Sequence, residues 1–366
     1  MVWWAGAGGP SAVVRLADGD HDEVVQIGLY AHTHGLGYRD DEDNLTRSVP
    51  ATELDPVGVA GDAERAGFHS MWFPDHVCMP LETGSAHVAN TSGKRSYEAR
   101  HEMLDAAVVM GAVACSTTTL KLGTSVLVAP YRGPLNDMRQ LTTVDVLSNG
   151  RLLLGVGAGW MVEEFEALGI EPSTRGRRTV ECIEIYKRAW TDDVVSFDGA
   201  HYQIRNVSMD PKPIQRPRPP IIYGGVSDLG ARRAARHCDG YYPLFLDPHA
   251  EPTRYDHHHD VIRAELEGIG RDPATFTMMG AATFHLTSDG APTGTSGQRM
   301  ICTGTAEQIL DDLGRFAAAG YSLIVAKLVS PSGQVAELRE NIARVGEQII
   351  PAAAALSPSG GWNLEL

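Results

Sequence analysis

Short apolar runs alternate with longer stretches of helical periodicity along the whole chain. Val24 to Ala31 (VVQIGLYA) is dense in β-branched and aromatic residues and predicts a first strand. Asp55-Pro56 then offers an N-cap with proline at the first helical position, so a helix opens there and stops at Gly67. The same reasoning predicts strands over 70–74, 121–128 and 152–157, with helices over 103–115 and 135–147 between them. In the second half, strands are predicted over 220–223, 240–244, 276–286 and 322–329. Helices are predicted there over 178–190, 229–237, 254–267, 306–319 and 335–349; in the first of these, apolar positions 180, 183, 186 and 190 have the helical spacing of one buried face. Ala66-Gly67-Phe68 and Ala319-Gly320-Tyr321 recur where a helix hands over to a strand, the glycine supplying a left-handed helix end.

Eight strand candidates, each followed by a helix, predict an α/β fold closed as a TIM (β/α)8 barrel. A doubly wound sheet would carry a GxGxxG fingerprint after its first strand. The only comparable run is Gly155, Gly157, Gly159 on the fourth strand, with Trp160 where the third glycine belongs. Residues 24–350 therefore read as one barrel, with an N-terminal extension over 1–23 and a C-terminal tail over 351–366. Three stretches, about 77–101, 191–219 and 287–303, exceed ordinary loop lengths and read as insertions. The second contains a predicted hairpin, Val194 to Phe197 and His201 to Ile204, then a proline-rich run over the surface.

Composition narrows the function. The chain has 366 residues, 31 basic and 46 acidic, for a net charge of −15. That balance excludes a nucleic-acid polyanion as the expected partner. No apolar run approaches the roughly 20 residues of a membrane span. Met1 to Val14 lacks the basic start of a secretory signal, so a cytoplasmic location is expected. The five scattered cysteines, without a CxxC pattern, fit reduced thiols.

A barrel places its chemistry at the C-terminal ends of its strands. The first strand ends in His32-Thr33-His34, an arrangement that invites a metal. Metal-dependent hydrolases of this type need further ligands at strands four, five, six and eight, and none stands there. No metal is expected, and His32 and His34 read as substrate-pocket residues. Strand two ends in Asp75-His76, where a histidine held by a neighbouring carboxylate can move a proton near neutral pH. Strand three carries Thr124-Ser125-Val126. Strand four ends in Gly157-Ala158-Gly159-Trp160 before the acidic helical segment Glu163 to Glu166. His257-His258-His259 reads as a polar helix surface rather than a metal site.

These positions together resemble the bacterial luciferase-like flavin and deazaflavin oxidoreductases, over roughly residues 25–350. The strings that carry the resemblance are WFPDHV (72–77), LGTSVLVAPYRGP (122–134), NGRLLLGVGAGWMVEEFEALG (149–169), PPIIYGG (219–225) and CTGTAEQI (302–309). The resemblance implies a TIM barrel with insertions, often homodimeric. It implies that Asp75 and His76 lie beside the flavin or deazaflavin ring, with His76 as the catalytic proton partner. Thr124, Ser125 and Val126 would support the back of the ring, with a non-prolyl cis peptide between Ser125 and Val126. Ala158, Gly159 and Trp160, with Gly225, Val226 and Ser227, would meet the cofactor's side chain or phosphate.

Trp160 stands where the family's sugar-phosphate dehydrogenases have a glutamate, which argues against that reaction. The GVGAGW string resembles the branch that uses coenzyme F420, and Arg175, Arg177, Arg178, Arg232 and Arg233 are candidates for its anionic tail. The main expectation is F420-dependent hydride transfer to or from a small organic substrate. The alternative is an FMNH2-dependent two-component monooxygenase, its reduced flavin supplied by a partner reductase. A third possibility is a barrel that binds flavin without turnover.

Overall fold

The computed structural model describes residues 24–39, 45–86, 102–243, 256–290, 299–359 and 362. The extension over 1–23, most of the first insertion and much of the third therefore lie outside the described residues.

The first strand, β1 (Gln26–Tyr30), is followed by a hairpin of β2 (Leu36–Arg39) and β3 (Leu45–Val49). Helix α1 (Pro56–Arg65) opens on Asp55, whose side chain accepts from the Gly58 amide, and leads into β4 (Ser70–Phe73). Then come α2 (Ala106–Ser116), β5 (Lys121–Thr124), β6 (Leu127–Val128) and α3 (Pro134–Leu147). Strand β7 (Leu152–Gly157) precedes the short α4 (Val162–Ala167) and the long α5 (Arg175–Thr191). The expected second hairpin is β8 (Val195–Asp198) with β9 (Gln203–Val207). The remainder runs β10 (Ile221–Gly224), α6 (Asp228–His237), β11 (Gly240–Tyr242), α7 (Asp256–Gly268) and β12 (Thr277–Leu286). It ends with β13 (Thr303–Gly304), α8 (Ala306–Ala318), β14 (Leu323–Leu328), α9 (Val335–Gln348) and α10 (Ile350–Ala353).

Parallel pairing runs β1–β4–β5–β7–β10–β11–β12–β14 and returns to β1, closing the expected barrel. Side chains alternate along each strand, so every second residue points inward. The interior is filled by residues such as Tyr30, Trp72, Leu153, Ile222, Tyr242 and Met279. Trp72 is fully buried there and needs small neighbours. A Cβ added at Gly123 would meet its ring at 2.4 Å, and one at Gly28 would meet it at 2.9 Å. Those two glycines are thus the counterpart of the tryptophan.

Three departures from the sequence reading have physical causes. The strand expected over 121–128 is interrupted, because the Ser125–Val126 peptide is cis, as the family resemblance implied. The β2–β3 hairpin was not foreseen; its strands are short and polar, and the acidic run 40–44 between them reads as plain loop. The C-terminal tail is not simply appended. Leu356 accepts from the Val25 amide beside β1, and Trp362 is buried against the core. The five cysteines are free, and Cys182, Cys238 and Cys302 are buried. Among the described residues, no helix is long and apolar enough to cross a membrane.

Candidate functional site

The C-terminal mouth of the barrel is floored by the interruption between β5 and β6. The Ser125 amide donates to Phe73 O at 2.7 Å, and Thr124 Oγ1 donates to Gly155 O at 2.6 Å. Ser125 Oγ lies 3.2 Å from the buried Tyr242 hydroxyl. Val126 is thereby set over three glycines: a Cβ at Gly157 or Gly224 would meet its methyl groups at 2.7 Å, and one at Gly155 would meet them at 3.3 Å. Gly157 and Gly224 make room for this valine, whereas a Cβ at Gly155 would first meet Thr124 O, at 1.9 Å. Gly159 (φ +75°) has a different reason, since a side chain there would collide with Val128 and Phe165.

Asp75 and His76 do not pair with each other. In extended chain, adjacent side chains leave on opposite sides, and each finds a partner far away in sequence. Asp75 is buried, accepts from the Val128 amide at 3.0 Å and is gripped by both ends of the Arg132 guanidinium, at 2.8 and 2.6 Å. His76 Nδ1 lies 2.7 Å from Glu164 Oε2. Glu164 is fully buried on α4 and also accepts from Val77 N at 2.7 Å, Cys78 N at 3.2 Å and Tyr131 Oη at 2.8 Å. Burial alone would raise the Glu164 carboxyl, yet these contacts, His76 foremost, hold it below the ordinary range. Its neighbour Glu163 ties down the described start of the first insertion through Thr83, Gly84 and Ser85.

The expected neighbour of His76 was therefore the wrong carboxylate. Glu164 sat in a segment that reads as a solvated acidic helix face, and Tyr131 and Arg132 lay in the PYRGP string without an assigned role. Their signal was weak: nothing local in WMVEEFEALG says that Glu164 points inward.

Behind this network Asp137 is buried on α3, with Oδ2 accepting from Tyr186 Oη at 2.6 Å. Burial raises its carboxyl to about 7, against the opposing Tyr186 bond and with help from Asp75. A carboxyl whose folded value exceeds its ordinary value of 3.8 costs stability as pH rises from there to about 7. Asp137→Asn is expected to flatten that slope and to stabilise the protein at pH 8, by on the order of 1–3 kcal/mol. Thermal melts of both proteins at pH 5 and pH 8 check this, and an unchanged or lower melting temperature at pH 8 would refute it.

The remaining residues separate by accessibility. His76, Val126, Ala158, Gly159, Trp160, Gly225 and Val226 are half-buried at the mouth, and Ser227 is exposed. Trp160 meets His76 edge to face at 6.4 Å between ring centres. Ser227 caps α6 by accepting from Gly230 N, so the first turn of that helix faces the mouth of the turn 225–227 with amide donors. Burial raises the Tyr223 hydroxyl and the charges of Arg233 and Arg175 oppose this; the Tyr223 ring lies against Gly225. Arg178 is held by Thr174, and Arg232 and Arg236 face Glu265. Thr124, Ser125, His32 and His34 are buried, not part of an open surface. His32 and His34 pack edge-on against Tyr30, and neither ring nitrogen of His32 has a well-aligned hydrogen-bond partner among the described residues. Burial, then the charge of Lys327, lowers the His32 imidazole to about 3, with a backbone contact at Leu328 offsetting this only in part.

The order of the strand-end residues matches a known group. Residues 48–293 fit the luciferase-like monooxygenase family. The chain belongs to this family. An uncharacterised Mycobacterium tuberculosis protein is 35% identical over 192 residues, 52% of this chain and 66% of that relative, just short of two thirds of its length. The FMNH2-dependent dimethylsulfone monooxygenase of Pseudomonas putida is 35% identical over 141 residues, 38% of this chain and 39% of that enzyme. Among solved structures, monooxygenase RslO1 from Streptomyces bottropensis superposes with a TM-score of 0.70 at 19% identity, covering 89% of this chain and 99% of that one. An F420-dependent secondary alcohol dehydrogenase superposes at 0.68 and 20% identity, covering 90% and 99%. At these identities the structural likeness establishes the luciferase-like TIM barrel.

Proposed function

We propose that this protein is an FMNH2-dependent monooxygenase acting on a small organic substrate. This reverses the order of the two readings expected from the sequence. The observation that carries it is the charge arrangement around the turn 225–227. The Tyr223 ring lies against Gly225 and its hydroxyl feels the charges of Arg233 and of Arg175, which also donates to Pro172 O at 3.0 Å, whereas Arg178, Arg232 and Arg236 are engaged by Thr174 and Glu265. Such a compact anion seat fits one terminal phosphate better than an extended anionic tail. The stretch of sequence shared with the Pseudomonas putida enzyme supports the same reading.

The residues fit the cofactor. Val126, seated on its glycines, offers an apolar support for one face of a flat ring, and Trp160 and His76 flank it. Bound reduced flavin supplies the electrons with which O2 delivers one oxygen atom to a substrate and the other to water. The chain's part is to orient, exclude water and move protons. Tyr30, Trp72 and Tyr242 form a dry floor, and Glu164 fixes His76 so that its Nε2 holds or gives up a proton at the ring edge. His32, held neutral, and His34 offer polar contacts to the substrate. A separate reductase that supplies reduced FMN belongs to this reading.

The F420 reading is favoured by one observation, the GVGAGW string at the end of β7 together with the superposed F420-dependent dehydrogenase. Titration with FMN and F420, each oxidised and reduced, followed by fluorescence and substrate-dependent turnover, separates the two. The expected result is reduced FMN binding at least about tenfold more tightly than reduced F420, with oxygen consumed during turnover. Tighter F420 binding with oxygen-independent turnover would overturn the proposal.

A further inference from the structure

The histidine run expected on a polar surface is only partly there. His257 is exposed, but His258 is buried and His259 packs against Tyr321 and Trp362. α6 and α7 lie side by side, which brings the first turn of α7 onto Asp228, the first residue of α6. Asp228 Oδ1 is 3.0 Å from His257 Nε2 and 3.2 Å from His258 Nε2. One ligand atom from each residue lies within 4.8 Å of the other two.

The proton on His258 can be placed from its neighbours. Tyr241 Oη is 2.7 Å from Gly225 O, which can only accept, so the single phenol proton is committed there. The 3.1 Å contact between Tyr241 Oη and His258 Nδ1 is then donated by the imidazole. With its proton on Nδ1, a neutral His258 turns the Nε2 lone pair toward the Asp228 carboxylate. Either a proton or a metal ion lies between the two, and His257 Nε2 beside the same carboxylate oxygen supplies the third ligand atom that a metal needs.

The spacing fits one. Zn²⁺ with ligands at about 2.0–2.1 Å in a tetrahedron separates ligand atoms by about 3.3 Å, close to the observed 3.0 and 3.2 Å. We propose that Asp228, His257 and His258 bind a divalent transition-metal ion of the Zn²⁺ or Ni²⁺ type, with water completing its coordination. The Tyr241 hydroxyl and Gly225 carbonyl orient His258, the role that outer partners play for metal-bound histidine. Asp228 and His257 have side chains 55% and 58% exposed, so the ion enters from solvent. Arg232 and Arg236, on the same helix as Asp228, face Glu265, which limits their repulsion of a cation. The bound ion joins α6 to α7.

The test uses the full chain without a histidine tag, stripped with chelator and titrated calorimetrically with Zn²⁺ and Ni²⁺. One equivalent is expected to bind with a micromolar or tighter Kd and to raise the melting temperature. His257→Ala and Asp228→Asn, both at exposed positions, are each expected to weaken binding at least about 30-fold and to abolish the rise. Co²⁺ loading of the wild type gives a readout independent of any variant: visible d–d absorption of a tetrahedral site. Uptake well below one equivalent, absence of that absorption, or unchanged affinity in the His257→Ala/Asp228→Asn double variant would each overturn the proposal.

Discussion

His76→Ala is expected to lower turnover about 10²–10⁴-fold while leaving the Kd for reduced FMN within about threefold of wild type. General acid–base groups contribute this much when positioned, and Glu164, itself fixed by Val77 N and Tyr131 Oη, holds His76 in one orientation at the mouth. Loss confined to kcat distinguishes proton transfer from a purely structural role, since collapse of the mouth would weaken cofactor binding as well. Glu164→Gln keeps the shape of the buried side chain but removes its charge, and is expected to lower kcat about tenfold through His76. Stopped-flow turnover with reduced FMN, beside flavin titration of each variant, decides the matter. Wild-type turnover in His76→Ala would remove His76 from the mechanism.

Arg132→Met is expected to cost about 3–5 kcal/mol in denaturant unfolding, the range for removing one partner of a buried ion pair. The side chains of Arg132 and Asp75 are only 14% and 1% exposed, so the variant leaves a carboxylate buried with little besides the Val128 amide. Adding Asp75→Asn is expected to restore much of the loss, because the uncompensated charge goes with it. A loss below about 1 kcal/mol for the single variant, or no recovery in the double, would mean that the pair does not brace the strand-end loops.

Local patterning accounts for most of what was legible. Short runs of β-branched and aromatic residues marked the barrel strands, and the Asp55 cap marked a helix start that the structure repeats. A family string carried the Ser125–Val126 cis peptide, which no periodicity would reveal. Where local signals failed, the cause was also local. The β2–β3 strands are too short and polar to stand out, and Glu164 and His258 look like surface residues because their sequence neighbours are polar.

By itself, then, the sequence determined the barrel, the order of its strands and which residues stand at their C-terminal ends. It could do so because strand and helix periods repeat every two to four residues and are written locally. The tertiary structure alone decided partnership. Asp75 with Arg132, His76 with Glu164 and Ser125 with Tyr242 are 57, 88 and 117 residues apart. Side-chain alternation sends chain neighbours to opposite sides, so contacts at the mouth form between strand ends that only barrel closure makes adjacent. The same closure lays α7 against α6 and turns a run of histidines toward Asp228.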